Sequence, residues 1–395
     1  MERLFVIGAS VLQLPAIRKA KEMGLYVGVA DYNPRAVGIP YADEYFEVST
    51  IDEAGILRAA EQFGADGIMT LATDMPMRSV AYATGKLGLT GISYDTAVKS
   101  TDKGEMIKAF EHCGVEHPWY FIVPSVQELK KIEERISFPC ISKPVDNAGS
   151  RGVMLVHNHD ELRSAVEYSS SNGRSGGVII EEYLQGHEVS VEVMVVDSVV
   201  HVLQVTDKIT TGAPHFVETG HTQPSRLGKE NVEKISDLAK RAVEAVGIDN
   251  GPAHVEMMLT ENGPKMIELG ARMGGDCITT HLVPLSTGID MVQATIRIAL
   301  GEKPDVAPKF CKGAAIRYFP SGVGVIERYE GIEEARKSPG VKEVSVVKNP
   351  GETVSGINSS VDRTGFVIVQ AETPDLAATL CENAVGKIKT ILKEV

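Results

Sequence analysis

Short apolar runs alternate with amphipathic segments along residues 1–100 of the chain. The runs RLFVIG, LYVGVAD, YFEVS and GIMTLATD predict buried strands, and helical patterns lie between them, one of them starting after Asp52. Strands that alternate with helices indicate a parallel sheet with helices on its faces. The first hundred residues are therefore predicted to form an α/β domain.

The first predicted strand ends in a single glycine, Gly8, and Asp31 follows about twenty residues later. This spacing is typical of the dinucleotide-binding Rossmann fold, but that fingerprint needs three glycines and GASVLQ supplies one. We therefore interpret the segment as Rossmann-like in fold, without a nicotinamide or flavin site.

A different pattern begins after residue 100. Thr101 or Asp102 can cap a helix that runs to about Cys113, where Gly114 ends it. Lys103 lies in the first turn of this helix, where the helix dipole disfavours a cation, so its position is unusual. Beyond it, YFIV and FPCISKP predict strands, and VQELKKIEERI between them predicts a helix.

The stretch CISKPVDNAGSRGVMLV contains Lys143 and a loop with two glycines between two apolar runs. A glycine loop beside a lysine is typical of phosphate binding, but the P-loop spelling, in which Gly-Lys-Ser/Thr opens a helix, is absent. Further on, HEVSVEVMVVDSVVHVLQV alternates in polarity around Asp197 and Ser198 and predicts an antiparallel hairpin. The chain thus changes from a parallel to an antiparallel sheet.

A second hairpin is predicted in AHVEMMLTENGPKMIELGARMGGD. If it is symmetric about Asn262, Glu256 and Glu268 are direct cross-strand neighbours on one face, with Cβ atoms about 5 Å apart. Like charges that face each other destabilise a sheet, so a cation is expected between them, and carboxylates at this spacing suit Mg²⁺. The alternative is that the register slips or that both side chains point into water. Arg272, at the strand end, can fork onto a carboxylate or phosphoryl oxygen, or lie on a surface loop.

Composition and charge restrict the function further. The chain has 395 residues, 43% of them hydrophobic, which is enough for roughly two or three domains with substantial cores. Its net charge of −13 disfavours a broad nucleic-acid-binding surface, and no apolar run approaches the ~18 residues of a membrane helix. The five cysteines are scattered without a CxxC pair, which favours a reducing cytoplasm over a disulfide framework or a zinc site.

Several of these features occur in the same order in a known family. Lys103, Lys143 before the glycine loop, the acidic strand end VIIEEYLQGHE, the paired-glutamate hairpin and Arg272 together resemble the ATP-grasp carboxylate–amine ligases. The resemblance covers nearly the whole chain, since GASVLQLPAIRKAKEMGLYVGVADYNP is similar to the pre-ATP-grasp domain. The segments AIRYFPSGVGVIERYEGIEEARKSPGV and TGFVIVQAETPDLAATLCENAVGKI are similar to the C-terminal lid of the carboxylase-like branch.

The resemblance implies an α/β protein whose ATP-grasp part has α+β character. It places a Rossmann-like domain at 1–100, a two-lobed ATP-grasp domain with antiparallel sheets at 101–305, and a C-terminal α+β lid at 306–395. The mobile small lobe is expected at about 115–185.

Roles for individual residues are also implied by the resemblance. Nucleotide binding is implied for Lys103 and Lys143, for Gly149, Ser150, Arg151 and Gly152 in the mobile loop, for the hinge Glu181, Glu182, Tyr183 and Leu184, and for Glu188 at the ribose. Mg²⁺ binding is implied for Glu256 and Glu268, and catalysis for Lys143 and Arg272, the arginine that steadies the substrate carboxylate and acyl phosphate. A substrate pocket is implied for Glu218, His221, Arg272, Asp276 and Arg317.

One position departs from the family pattern. Many members have an asparagine two residues after the second glutamate as a further metal ligand, whereas this chain has Gly270. One or two Mg²⁺ ions are therefore implied, and the second would lack that ligand. Without the asparagine, ELGARMGGD and the loop TTGAPHFVETGHTQPS resemble the amino-acid ligase branch more than biotin carboxylase.

The predicted function is an ATP-dependent ligase that activates a carboxylate, that of an amino acid, as an acyl phosphate and couples it to an amine. The alternatives within the family are a bicarbonate-activating carboxylase and a purine-biosynthesis ligase; outside it, they are a nucleotide-binding module without catalysis and a nicotinamide oxidoreductase. The implied partners are ATP, Mg²⁺ and small-molecule substrates, without nucleic acid or membrane, and a homodimer is compatible with the resemblance. His157 and His159 lack a partner cluster and are interpreted as a polar strand end.

Overall fold

The computed structural model describes residues 1–149, 151–213, 216–320 and 322–393. The first elements are β1 (Arg3–Ile7), α1 (Leu14–Glu22), β2 (Tyr26–Asp31), β3 (Glu44–Glu47), α2 (Glu53–Phe63), β4 (Gly67–Met69), α3 (Met77–Leu87) and α4 (Tyr94–Lys99). The strands form a parallel sheet in the order β3-β2-β1-β4. Leu4 and Val6 pack in one hydrophobic cluster and Phe5 and Ile7 in another, so both faces of β1 are covered. The predicted parallel-sheet α/β segment is confirmed.

A smaller antiparallel sheet follows the helix α5 (Lys103–Cys113). Asp102 caps this helix by accepting hydrogen bonds from the backbone N–H groups of Gly104 and Glu105, and Gly114 ends it in the left-handed conformation. The next elements are β5 (Tyr120–Val123), β6 (Cys140–Pro144), β7 (Met154–Val156), α6 (His159–Asn172) and β8 (Val178–Glu182). The strand order is β5-β8-β6-β7, and β6 and β7 flank the glycine loop as predicted.

The helix predicted over VQELKKIEERI is replaced by two 3₁₀ segments, Val126–Lys131 and Glu133–Arg135. Val126, Leu129 and Ile132 pack against the core of the small sheet. These apolar residues recur every third position, which matches three residues per turn better than the 3.6 of an α-helix.

The remaining strands build a large sheet of eight strands, β13-β12-β9-β10-β11-β14-β18-β16, and a small one of three, β17-β15-β19. Their elements are β9 (His187–Val196), β10 (Val199–Thr210), β11 (Glu218–Gln223), α7 (Lys229–Val246), β12 (Gly251–Thr260), β13 (Gly263–Gly270), α8 (Val283–Thr287), α9 (Met291–Ala299), β14 (Gly313–Tyr318), β15 (Val323–Glu330), α10 (Ile332–Arg336), β16 (Val341–Val346), β17 (Thr353–Ser355), β18 (Gly365–Ala371), α11 (Pro374–Val385) and β19 (Lys389–Lys393). Strands on both sides of residue 306 thus share one sheet, and the domain limits stay a prediction.

Alternation along β9 separates the core face of the large sheet from its polar face. Val189, Val191 and Val193 are fully buried in the cluster that also contains the apolar face of α7. The intervening residues, among them Glu188 and Glu192, project from the opposite face. The turn into β10 is the predicted two-residue one, with φ of 49° at Asp197 and 64° at Ser198.

Within the described ranges, no helix is long and apolar enough to cross a membrane.

Gly186 joins β8 to β9, and its backbone has a φ of 154°. A Cβ atom at this position would lie 2.0 Å from the carbonyl oxygen of Leu259 on β12. Gly186→Ala should therefore lower the free energy of unfolding by about 2 kcal/mol or more, because backbone must shift to relieve the overlap. Chemical denaturation followed by circular dichroism measures the change.

Gly85→Ala in α3 is the matched control for Gly186→Ala. No atom lies within 4 Å of a Cβ added there, so the helix should gain up to about 1 kcal/mol. If Gly186→Ala is neutral, the close approach to Leu259 does not constrain this connection.

Candidate functional site

The candidate site lies on the polar face of the large sheet. Ser190 pairs with Glu256, and Glu256 pairs in turn with Glu268. On the neighbouring strands, Lys208 pairs with His221. Ser190 pairs with Thr206, which lies two residues from Lys208 on β10. Because paired residues of antiparallel strands, and residues two apart on one strand, project from the same face, these side chains form a diagonal row across that face.

The predicted pairing of Glu256 with Glu268 is confirmed, but the hairpin is not symmetric about Asn262. Near the tip, Thr260 pairs with Gly263 and Met257 pairs with Met266, one residue out of that register. A bulge that leaves Ile267 unpaired restores it, so Glu256 and Glu268 still face each other.

Protein cations lie beside both glutamates. Glu268 Oε1 is 2.9 Å from the Nζ of Lys103, and Glu256 Oε1 is 3.3 Å from the Nζ of Lys208. Burial favours a neutral Glu256, but Lys208 and His254 hold the pKa of its carboxyl well below the ordinary value. Repulsion between the two glutamates is thus already balanced, and it does not by itself require a metal.

Lys208 is a buried cation that the sequence interpretation missed. Its Nζ lies 2.6 Å from Glu188 and 3.6 Å from Glu218, in addition to Glu256. Burial opposes its charged form, but the carboxylates of Glu256, Glu188 and Glu218 outweigh burial and raise the pKa of Lys208 well above its ordinary value. The sequence did contain a sign of this contact, because alternation along TDKIT places Lys208 on the same sheet face as Glu188.

Glu256 is the last member of a series of hydrogen-bonded side chains that are otherwise buried. His254 Nε2 is 3.0 Å from Glu256 Oε1, and His254 Nδ1 is 3.0 Å from Oε2 of the fully buried Glu192. Ser190 Oγ donates to Glu192 at 2.8 Å. Burial lowers the pKa of His254, yet Glu192 and Glu256 outweigh it and raise that pKa to about 9. The chain of contacts fixes the orientation of the Glu256 carboxylate.

Arg272 forms a two-pronged ion pair with Asp74, which follows β4 in the N-terminal sheet. Its Nε and Nη2 lie 2.9 and 3.0 Å from the two carboxylate oxygens. Burial alone would lower the pKa of Arg272, but Asp74 and the two glutamates raise it. A Cβ atom on Gly270 would lie 2.8 Å from Asp74 Oδ1 and 3.0 Å from Arg272 Nε. The missing side chain at position 270 therefore leaves the space that this ion pair fills.

An apolar slot opens beside the two predicted lysines. Lys143 and Glu181 form a buried ion pair, with 2.5 Å between Nζ and Oε1. The Nζ of Lys103 donates to the carbonyl oxygen of Asn147 at 2.7 Å, which ties α5 to the glycine loop. The apolar wall of the slot is formed by Met106, Ile107, Phe110, Ile179, Met266 and Ile267.

The glycine loop has two residues that need the left-handed conformation, Gly149 at φ 67° and Gly152 at φ 81°. A Cβ on Gly152 would lie 2.7 Å from that of Asn172, whereas Gly149 faces open space. Arg151 is exposed and its Nε donates to the carbonyl of Ala148. Ser150, also predicted to bind nucleotide, lies outside the described residues.

The predicted hinge residues differ in burial and in the groups they contact. Glu182 is half-buried and pairs with Lys265 at 2.7 Å. Leu184 is buried, and the ring of Tyr183 lies 6.2 Å from that of Phe216. Only Glu181 of this set contacts a predicted lysine.

At the other end of the row, Asp276 links His221 to an arginine that the sequence interpretation missed. Arg363 donates to both carboxylate oxygens of Asp276, at 2.7 and 2.5 Å, and its guanidinium stacks on Tyr318. His221 Nε2 lies 3.3 Å from Asp276. Burial favours a neutral Asp276, but His221 and Arg363 lower the pKa of its carboxyl. A lone arginine in VDRTGFV gave no sequence signal for this contact.

Arg317 does not join this cluster. It pairs in register with Gly220, so it projects from the face opposite to His221. Its guanidinium donates to Thr222 Oγ1 and to Glu382 of α11. The geometry therefore supports Arg363, rather than Arg317, as the arginine that the C-terminal segment contributes to the polar face.

Comparisons with known proteins identify two segments. Residues 136–280 match the model of the ATP-grasp domain, and residues 317–393 match that of the L-amino acid ligase C-terminal domain 2. The alanine–anticapsin ligase of Bacillus subtilis (strain 168) is 28% identical over 314 residues, which cover 73% of this chain and 66% of that protein. The match thus spans about two thirds of the relative.

Two solved structures share the whole fold. The L-amino acid ligase from Bacillus licheniformis superimposes with a TM-score of 0.87 at 23% identity, over 100% of this chain and 99% of that one. The phosphoribosylglycinamide synthetase from Anaerococcus prevotii gives 0.80 at 24% identity, over 99% and 100%. At these identities the likeness to both structures establishes the fold alone.

The stability that His254 contributes should depend on pH in metal-free buffer. Its pKa is raised from 6.5 to about 9 in the folded protein, so the contribution is fully present below about pH 6.5 and is lost as the pH rises through about 9. The measurement is the difference in free energy of unfolding between the wild type and His254→Gln, by denaturation in EDTA across this window. It should shrink with rising pH.

His201→Gln on β10 serves as the control, because His201 has no ionic partner among the described residues. A His254→Gln difference that stays constant or grows from neutral to alkaline pH contradicts the ion pairing with Glu192 and Glu256.

Proposed function

We propose, from the premise that this chain belongs to the ATP-grasp ligases, that it activates the carboxylate of an amino acid with ATP and joins it to an amine, releasing ADP and phosphate. The observation that carries the proposal is the row of charges on one sheet face. Paired glutamates, two lysines and an arginine meet there beside an apolar slot. This arrangement suits a reaction in which anionic groups must be brought together and neutralised.

The slot beside Lys143 has a volume of only about 10 Å³ in the structure. Its apolar walls would have to move apart to hold the adenine that we propose there, with the ribose at Glu188. Lys103 and Lys143 would neutralise the phosphates, and the backbone N–H groups of the glycine loop would close over them. In the structure both lysines are already paired with carboxylates, Glu268 and Glu181, so they are held in place before nucleotide arrives.

Glu256 and Glu268 are proposed to hold Mg²⁺ together with the nucleotide phosphates. In the described part of the chain, no group of three or more His, Cys, Asp or Glu side chains is arranged to hold a metal ion. Two facing carboxylates fit Mg²⁺ nevertheless, because this ion commonly takes one or two carboxylates plus phosphate oxygens and water. When bound, Mg²⁺ would supply neutralisation of the charge on the transferring phosphoryl group. The number of ions stays a prediction.

A carboxylate resists attack by an amine because it is negatively charged and has no leaving group. Phosphorylation gives an acyl phosphate, whose phosphate leaves when the amine forms the new C–N bond. Arg272 and Lys143 would hold the charged groups in place, and the closed glycine loop would keep water away from the intermediate. The chain needs no side-chain nucleophile for these steps.

An amino acid as the activated substrate fits the charges near Arg272. The carboxylate of the amino acid can bind the guanidinium of Arg272 in place of Asp74. Asp74 can then accept hydrogen bonds from the ammonium group of the amino acid. Glu218, His221 and Asp276 are proposed to line the rest of the pocket, with Arg363 holding Asp276. A bicarbonate or phosphoribosyl substrate would leave Asp74 without a cationic partner.

Phosphate release from ATP and Mg²⁺, measured across a grid of amino-acid pairs with bicarbonate wells alongside, tests the function. Release that needs two amino acids, with a coupled product by mass spectrometry, is the expected result. Release driven by bicarbonate instead favours a carboxylase, and nucleotide binding without release in every well favours a non-catalytic module.

Glu268→Ala should lower Mg²⁺-dependent turnover by about 100-fold or more, because it removes one of the two facing carboxylates. The fold should survive, since loss of the Lys103 contact is offset by the removal of a like charge opposite Glu256. Turnover and the thermal midpoint are the two measurements.

Glu261→Ala, at the exposed tip of the same hairpin, should behave as wild type in both measurements. Near wild-type turnover in Glu268→Ala would rule out the paired-carboxylate site.

A further inference from the structure

The chemistry proposed above leaves one buried ion pair on the polar face without a role. Glu192 is fully buried, and His254 is only 5% exposed. Nδ1 of His254 lies 3.0 Å from Oε2 of Glu192, and Ser190 Oγ donates to the other oxygen of this carboxylate at 2.8 Å. A buried ion pair often stabilises a fold no more than well-packed apolar side chains of the same volume would. The pair is therefore better explained by a role in the site than by stability.

The two cations beside Glu256 approach the same atom of its carboxylate. Nε2 of His254 lies 3.0 Å from Oε1 of Glu256, and Nζ of Lys208 lies 3.3 Å from that oxygen. The other oxygen, Oε2, accepts no hydrogen bond from the residues that the structure describes. A carboxylate held through one oxygen can offer the second one to a metal ion as a single ligand atom.

Glu192 fixes the ring of His254, and the ring in turn fixes Glu256. A ring nitrogen that faces a carboxylate oxygen donates a hydrogen bond to it, because an ionised carboxylate can only accept. His254 thus donates from Nδ1 to Glu192 and from Nε2 to Glu256. A side chain that orients a metal-binding group in this way commonly changes metal affinity when it is altered, although it does not touch the metal.

The loop after β13 confines the same imidazole from another side. A Cβ atom on Gly274 would lie 2.6 Å from Nδ1 of His254 and 3.0 Å from Oε2 of Glu192. The carbonyl of Gly274 accepts a hydrogen bond from Thr279 Oγ1 at 2.6 Å, which holds the loop against the pair. Any side chain at position 274 would therefore displace His254 or the loop.

We propose that His254, held by Glu192 and by the backbone at Gly274, is a positioning residue for the metal: it fixes Oε1 of Glu256 so that Oε2 is the oxygen presented to Mg²⁺. The inference rests on the proposed Mg²⁺ site at Glu256 and Glu268. It adds the ligand atom of Glu256 and two residues, His254 and Glu192, that act on metal binding through that carboxylate.

The affinity for ADP with and without Mg²⁺ isolates this role from catalysis. Calorimetry gives the Kd for ADP in saturating Mg²⁺ and in EDTA, and the ratio of the two is the gain in affinity that the metal supplies. In the wild type, ADP should bind more tightly with Mg²⁺ than in EDTA.

His254→Asn and His254→Gln form a matched pair, because both remove the same charge. The amide nitrogen of asparagine lies at about the place of Nδ1, so His254→Asn keeps the donor to Glu192 and loses the donor to Glu256. The amide nitrogen of glutamine lies at about the place of Nε2, so His254→Gln does the reverse. For His254→Asn we expect the Mg²⁺-dependent gain to fall about tenfold, which corresponds to one lost charge-assisted hydrogen bond. His254→Gln should keep most of the gain, and both variants should bind ADP in EDTA as the wild type does.

A second pair of variants leaves every charge in place. Gly274→Ala pushes on His254 and should also lower the Mg²⁺-dependent gain. Gly275→Ala is its control and should match the wild type, because no atom lies within 4 Å of a Cβ added there. If His254→Asn fails to fold, the two glycine variants decide.

Equal gains in His254→Asn and His254→Gln, or a larger loss in His254→Gln, would overturn the positioning role. A gain that increases in both would overturn it as well, since His254 would then act only as a positive charge that repels the metal. If Gly274→Ala equals Gly275→Ala, the loop does not confine His254. A wild type whose ADP affinity does not depend on Mg²⁺ would instead overturn the proposed metal site, and one that binds no ADP under either condition would overturn the proposed nucleotide site.

Discussion

Lys208 is the charge on which the polar face of the large sheet depends. Its ammonium group is nearly inaccessible to water and contacts Glu188, Glu218 and Glu256. Without this cation, three half-buried carboxylates would face one another with no opposite charge close to all of them, and their mutual repulsion would destabilise this face. The proposed ribose, substrate and metal ligands are therefore coupled through one side chain. A change in the charge at any of the three alters the environment of the other two.

Alternation predicted this face, but not its electrostatics. The period of two in β9 and in the β12–β13 hairpin was enough to bring Glu256 and Glu268 together, even though the assumed symmetry about Asn262 was wrong by one residue. The bulge at Ile267 restores the predicted register, and the pairing of β12 with β9, together with the core, fixes which face of the hairpin is apolar. Lys103 and Lys208 lie beside Glu268 and Glu256 respectively. These lysines are separated from the glutamates along the chain and could not be paired with them from spacing, and the Mg²⁺ expected between the glutamates stays a prediction.

The contacts that the sequence could not give are those between distant segments. Asp74 lies 198 positions from Arg272, and Asp276 lies 87 positions from Arg363. No local pattern marks such pairs, since each partner has its own element and only the tertiary packing brings them together. The direction of the Arg317 side chain could not be predicted either, because it depends on the register of β14 against β11. Gly270 is a departure that only the structure accounts for: an asparagine there would overlap the Asp74–Arg272 pair.

The loop after β13 is held from both sides by the same kind of contact. Arg272 forks onto Asp74 of the N-terminal segment, and four residues later Asp276 receives the fork of Arg363 from the C-terminal segment. Asp276 and Cys277 adopt positive φ angles of 54° and 61°, conformations that persist only where surrounding contacts fix them. Two-pronged pairs of this kind are specific in direction, yet a carboxylate or phosphoryl group of a substrate can compete for either arginine. A substrate that binds Arg272 in place of Asp74 would therefore release one side of the loop, while Arg363 still holds the other side. The polar face could thus exchange the carboxylate of Asp74 for that of a substrate while Arg272 stays in position.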